Sequence, residues 1–306
     1  MNILETCNLT KKYKDFYALK GVNMHIEKGD IYGFVGENGA GKTTVIRIVT
    51  GLAHPTSGAY SLFNVDKDDN KINEARRKIS AIVEEVSLNR NMTALENMKM
   101  QAAITNTNKS DEELIDLINL VGLDYEAIKN KKTKDYSLGM RQRLGLAIVM
   151  VQDPELIILD EPMNGLDPQG VISVREAILK LHEMGVTFLI SSHILSELDK
   201  ICNKIGVISK GKLLEELTIN ELHAKESTRI VIESNEIERV SDVLLARFDF
   251  KKCNLMNNRL TIRDKADINE LIKELVNQDV KIDKIQTIDE SIEDYYINLI
   301  KGGKDK

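Results

Sequence analysis

The nine residues GENGAGKTT, Gly36 to Thr44, constrain this chain more than any other stretch. They follow the apolar run IYGFV (Ile31–Val35) and precede the helix-like VIRIVTGL. A strand therefore runs into a glycine loop and the loop into a helix, the setting in which GxxxxGK[ST] becomes a phosphate cradle. Gly36, Gly39 and Gly41 let the backbone turn tightly and aim successive N–H groups at phosphate oxygens, with Glu37, Asn38 and Ala40 completing the loop. Lys42 is expected to reach the β- and γ-phosphates and Thr43 to ligate Mg²⁺. Thr44 leads into the helix, whose N-terminus favours negative charge.

A second element supplies the rest of a nucleotide site. In LIILDEP an apolar strand delivers Asp160 to its C-terminal end, where open α/β sheets place their ligands. Asp160 is positioned to hold Mg²⁺ through water, and Glu161 beside it to act as general base on an attacking water. Cradle and acidic pair together point to nucleotide hydrolysis.

Short β-like runs alternate with helical stretches through the first two thirds of the chain. IYGFV, SAIV (Ser80–Val83), LIILD (Leu156–Asp160), TFLISS (Thr187–Ser192) and IGVIS (Ile205–Ser209) are the expected strands. Their continuous apolar character predicts a parallel sheet covered on both faces. Between about residues 85 and 151 the pattern turns helical, with a cap signal at Ser110. From about Leu217, segments such as TRIVIES, NRLTIRD and DINELIKELVNQ alternate again and suggest a small α+β unit of βαββαβ type. The expected fold is an α/β P-loop NTPase domain over residues 1–216, with a helical subdomain, and an α+β accessory domain over 217–306.

A formal net charge of −6 supplies no general electrostatic reason to bind nucleic acid. Cys7, Cys202 and Cys253 are far apart and lack CxxC spacing, as reduced structural thiols would be. The N-terminus MNILETCNLTKKYKD has no apolar core of the kind a signal peptide needs. The longest apolar run, LGLAIVMV, is less than half the ~18 residues of a membrane span. These features predict a cytoplasmic protein that, if it acts at a membrane, does so peripherally.

Further motifs narrow the family. YSLGMRQRLGLA (Tyr136–Ala147), just upstream of LIILDEP, resembles the signature sequence of ATP-binding cassette (ABC) ATPases. NGLDP (Asn164–Pro168) is similar to that family's D-loop, SSH (Ser191–His193) to its switch histidine, and Tyr13 sits where the family stacks an aromatic ring on adenine. The resemblance runs in the family's order from Tyr13 to Lys212. It implies ATP and Mg²⁺ as cofactors, a second ATP-binding subunit paired head to tail, most simply a copy of this chain, and an integral membrane permease as partner. In such a pair the signature residues Ser137, Leu138, Gly139 and Met140 would act in trans, with Ser137 and the backbone of Gly139 contacting the γ-phosphate held by the partner's Lys42. His193 would position that phosphate and Asp167 would link the two sites.

The chain also departs from the common pattern. Leu138 replaces a glycine and Met140 a glutamine, and the strand ISAIV ends on Glu84 where most cassettes carry a metal-binding glutamine. Read alone, Glu84 and Glu85 are a charged edge where a strand leaves the core. Within the resemblance, Glu84 becomes a Mg²⁺ ligand and coupling residue, and Glu85 its solvated neighbour. This "E-loop", YSLGMRQR and the tail TIDESIEDYYINLI resemble the bacitracin-resistance and lantibiotic-immunity branch, whose members expel membrane-active peptides. An exporter ATPase with another cargo is one alternative, and two further readings stand beside it, a soluble cassette ATPase acting on nucleic acid or ribosomes and a nucleotide-switched regulatory module. The chain has neither the second cassette nor the sustained heptads typical of the first. Glu161 and His193 favour turnover over the second.

Overall fold

The computed structural model of the chain describes residues 1–302 apart from 225, 226, 252, 263, 265 and 291. Arg263 of NRLTIRD and Ser291 of the C-terminal tail thus lie outside the described residues. The backbone divides into two compact units, Met1–Ile219 and a second one from Asn220 onward.

The first unit opens with an antiparallel sheet that was not among the expected strands. β1 (Asn2–Tyr13), β2 (Phe16–Glu27), β4 (Ser57–Leu62) and β5 (Val65–Asp66) pair in the order β2–β1–β4–β5. Register shifts at four places along the β1–β2 ladder accompany a broken two-residue period in β1, and in β2 only the short stretch Val22–Met24–Ile26 keeps it.

The central sheet carries the site. β3 (Ile31–Val35), β6 (Ile79–Ile82), β7 (Leu156–Asp160), β8 (Thr187–Ser192) and β9 (Lys204–Ser209) are parallel. With β10 (Lys212–Thr218) as an antiparallel edge, the order is β10–β9–β3–β8–β7–β6. Every residue of β3, β7 and β8 is buried, as their unbroken apolar runs require of a sheet covered on both faces. Val35 pairs with Ser192 and Asp160 with Ser191, so the C-terminal ends of three neighbouring strands lie level. β6 stops at Ile82, one residue short of the expected Val83, because the backbone turns sharply at Glu84.

Helices flank and extend this sheet. α1 (Lys42–Val49) follows the glycine loop, and α2 (Ile72–Arg76) precedes β6. α3 (Ala94–Thr105), α4 (Asp111–Leu120), α5 (Tyr125–Ile128) and α6 (Leu138–Val149) form the helical stretch between β6 and β7. α3 and α4 both begin with complete capping boxes, Thr93 with Glu96 and Ser110 with Glu113. α7 (Pro168–Glu183) and α8 (Leu195–Asp199) complete the set, and α9 (Ile219–His223) spans the boundary into the second unit.

The second unit runs β11 (Ser227–Glu233), α10 (Ile237–Arg247), β12 (Cys253–Met256), β13 (Arg259–Ile262), α11 (Ile268–Asn277), β14 (Lys284–Glu290) and α12 (Ile292–Gly302). This is a βαββαβ order closed by a helix, with an antiparallel sheet β12–β13–β11–β14. Ile230, Ile232, Val240, Leu244, Ile262, Leu271 and Leu275 make its core. Among the described residues no helix is long and apolar enough to cross a membrane.

A candidate nucleotide site

The glycine loop is built by close packing. A Cβ on Gly36 would fall 2.4 Å from the carbonyl oxygen of Ile208, and Gly41 has φ +116° with the Ala18 carbonyl 2.8 Å from where its Cβ would lie. Glycine is required at both positions. The loop is pinned by the Gly36 N–H donating to Ser192 O (3.2 Å) and the Gly211 N–H donating to Ala40 O (2.9 Å). Ala40 is buried, whereas Glu37, Asn38 and Gly39 form the exposed crest. Gly41 caps α1 without a side-chain hydrogen bond, so the first-turn N–H groups, those of Thr43 and Thr44 included, lack intrahelical acceptors. That end of α1 carries partial positive charge.

Lys42 is only 5% exposed. Its ammonium donates to the carbonyls of Gly36 (2.6 Å) and Glu37 (3.3 Å) and lies 3.0 Å from Glu161 Oε1. A charge this buried is stable only because it is so partnered. The other Glu161 oxygen, Oε2, lies 2.8 Å from Nδ1 of His193. Glu161 has φ +51°, which turns its side chain out of the strand direction at the end of β7.

Asp160 is buried at 4% exposure and accepts two hydrogen bonds. Thr43 Oγ1 donates to Oδ2 at 2.8 Å and Ser191 Oγ donates to Oδ1 at 2.6 Å. Ser191 Oγ in turn accepts from the Glu161 N–H at 2.9 Å. Ser191 thus links the two acidic residues, a role the sequence reading did not assign. Its signal was the SSH motif itself, once β8 is placed beside β7. Thr43 and Asp160 are hard oxygen donors and fit Mg²⁺. No group of three or more His, Cys, Asp or Glu among the described residues forms an all-protein metal cage. Such a sparse donor set suits a magnesium that takes its remaining ligands from water and substrate phosphates.

The remaining expected residues lie on other segments of the first unit. Tyr13 ends β1 opposite Phe16, with 46% of its surface open and the Lys11 ammonium 4.8 Å from its ring centroid. Glu84 is exposed, and its hydrogen-bond partner is Arg47 on α1 rather than Thr43 or Asp160. Ser137 caps α6, accepting from the Met140 N–H at 3.2 Å. Leu138 is exposed, and Gly139 and Met140 are half-buried behind it. Asp167 caps α7, accepting from the Gly170 N–H at 2.8 Å. Leu138, Arg141 and Gln142 line one side of a cleft of about 620 Å³ that Glu84 and Glu161 also line. The structure therefore gathers Lys42, Thr43, Asp160, Glu161 and His193 into one bonded group. The signature and D-loop stand at helix starts, and Tyr13 stands at a hairpin tip.

Comparison with known proteins follows the same lines. The sequence profile described as "ABC transporter" matches residues 19–164. The chain is 38% identical over 304 residues to the bacitracin transport ATP-binding protein BcrA of Enterococcus faecalis, covering 98% of this chain and 97% of that protein. It is 42% identical over 214 residues to the lantibiotic transport ATP-binding protein SrtF of Streptococcus pyogenes, covering 70% of this chain and 90% of that one. A dimeric ATP-binding cassette solved in a post-hydrolysis state with ADP and phosphate is similar with a TM-score of 0.63 and 26% identity, covering 71% of this chain and 98% of that one.

Proposed function

The chain belongs to the ABC transporter family, and from that premise we propose that it is the Mg²⁺-dependent ATPase subunit of an exporter acting through a separate membrane permease. The cargo we assign is a peptide antibiotic of the bacitracin or lantibiotic kind, which the relatives' names support. The observation that carries the ATPase reading is the bonded group at the ends of β3, β7 and β8, in which a buried lysine and a histidine hold opposite oxygens of one carboxylate.

Each residue then has a task. Main-chain N–H groups of the loop and the Lys42 ammonium bind the phosphates. Thr43 and Asp160 hold Mg²⁺, which when bound offsets phosphate charge and orients the γ-phosphate. Glu161 takes a proton from the attacking water, and His193 fixes its carboxylate and the γ-phosphate. Tyr13 offers its open face to adenine. Ser137 to Met140 and Asp167 act across a pair of subunits, where the positive start of α6 faces the other subunit's phosphate. Glu84 would add a carboxylate to the metal site.

The permease contact we propose is a groove on the first unit. A groove of about 440 Å³ lies beside the loop after β6, lined by Thr50, Leu52, Ile82, Val83, Val86 and Gln101 among others. Its apolar walls next to Glu84 would let a permease segment sense the metal loop. We place the protein at the cytoplasmic face of the membrane, with residues 1–216 as the cassette and 217–306 as an accessory domain supporting the dimer or a partner. Nucleic acid is not an expected partner.

The test is to express the chain with its neighbouring candidate permease and measure ATP hydrolysis and peptide-antibiotic tolerance. Wild type should hydrolyse and protect, and Glu161→Gln should do neither. Hydrolysis without any protection would overturn the cargo assignment. Hydrolysis unaffected by Glu161→Gln would overturn the site.

A further inference from the structure

The loop that leaves β6 is closed by an unusual turn. Glu84 has φ +67°, and the Glu85 N–H donates across it to Val83 O at 2.9 Å. This makes a γ-turn whose central residue lies in the left-handed region, a rare and strained arrangement for a residue other than glycine or asparagine. Strain of this kind persists only where neighbouring contacts hold it. Here the neighbour is Arg47, in the last turn of α1, whose Nη2 donates to Glu84 Oε1. Arg47 belongs to the same helix as Lys42 and Thr43, so one ion pair ties the phosphate-bearing helix to the metal loop.

We propose that Arg47 is a positioning residue that latches Glu84, holding the strained turn and withholding its carboxylate from the metal until the pair is exchanged. The chemistry favours such a device here. A carboxylate at this position adds negative charge near Asp160, Glu161 and a bound nucleotide, whereas an amide would not. A guanidinium beside it supplies the missing countercharge in a fixed fork geometry. Both side chains reach solvent, at 43% and 60% exposure, so the pair can open without disturbing the core. Release lets the turn relax and frees the carboxylate toward the cleft that it and Glu161 both line. The metal half of this proposal rests on the reading of Glu84 as a Mg²⁺ ligand; the latch does not.

Two measurements on the full chain separate them. Hydrogen exchange at the Glu85 amide, without metal, reads the turn. Arg47→Leu and Glu84→Gln should each speed it several-fold, Arg47→Lys should restore most of the protection, and the double variant should add nothing further. Unchanged exchange in Arg47→Leu, or multiplying effects in the double variant, would overturn the latch. Mn²⁺ affinity in the presence of ADP, followed by electron paramagnetic resonance, reads the metal. Arg47→Leu should tighten Mn²⁺ about two- to five-fold, the size of an exposed ion pair, and should have no effect in the Glu84→Gln background. An equal change in both backgrounds would mean that Arg47 acts through the field of α1, and the exchange would be refuted. If the turn behaves as expected but Glu84→Gln leaves Mn²⁺ affinity untouched, the latch stands and the ligand role of Glu84 falls.

Discussion

The Lys42 ammonium and the Glu161 carboxylate stand 3.0 Å apart, joining the loop after β3 to the residue that follows β7. The pair puts the proposed phosphate-binding charge and the proposed base on one contact, and His193 Nδ1 lies 2.8 Å from the other carboxylate oxygen. Glu161→Gln keeps the shape but removes the proton acceptor. We expect kcat for ATP hydrolysis to fall by about 10²- to 10⁴-fold, the usual share of a general base, with nucleotide affinity kept within a few-fold. Lys42→Met should do the reverse in kind, with nucleotide affinity falling first. Equilibrium nucleotide binding and single-turnover hydrolysis on both variants decide it.

The glycine loop makes a prediction about packing. Gly36→Ala sets a methyl group 2.4 Å from the Ile208 carbonyl, so backbone must move. Overpacking of this kind costs about 1–3 kcal/mol. Gly39, at φ +78° with nothing within 4 Å of its Cβ position, has only its backbone conformation to lose. Gly39→Ala should cost about 1–2 kcal/mol, the ordinary penalty of a left-handed L-residue. Denaturant unfolding should rank Gly36→Ala as the more damaging, and it should also lose nucleotide binding.

How much of this was legible beforehand depended on what each residue needed. The cradle, Asp160 and Glu161 could be read because a local pattern of strand, loop and helix creates them, and β3, β7 and β8 because burial on both faces leaves an unbroken apolar run. The N-terminal sheet was not read, since β1 breaks the two-residue period and the Val22–Met24–Ile26 alternation of β2 is short. Ser191 and Arg47 escaped for another reason. Their roles come from partners far along the chain, Asp160 and Glu84, and only the strand order and the turn at Glu84 bring them together. The βαββαβ order of the second unit was visible because its elements alternate in short, regular segments.

Ser191→Ala tests whether that serine is part of the site. The change removes a donor to Asp160 and an acceptor for the Glu161 N–H in one step, both in a buried place. Leaving such groups unpaired costs about 1–3 kcal/mol. We expect a stability loss in that range, together with a fall in hydrolysis larger than in nucleotide affinity, because the geometry of the acidic pair is loosened. A loss of stability with kinetics unchanged would make Ser191 a packing residue only.

The helical stretch carries a pH dependence of known sign. The backbone N–H of Thr93, with the Lys132 ammonium next, holds the Glu96 carboxyl below its usual range, and the Ser110 backbone N–H does the same for Glu113. A carboxyl depressed in the folded state stabilises it above the unfolded pKa, about 4.3 for Glu, and that contribution fades as pH falls through the lower folded value. Both capping boxes should therefore act in full at pH 7 and weaken together below about pH 4. Glu96→Gln and Glu113→Gln should lower the stability measured by urea unfolding at pH 7, and the gap from wild type should shrink as the pH is taken to about 3. A gap that stays constant across that range would show that the carboxylate charge contributes nothing to either cap.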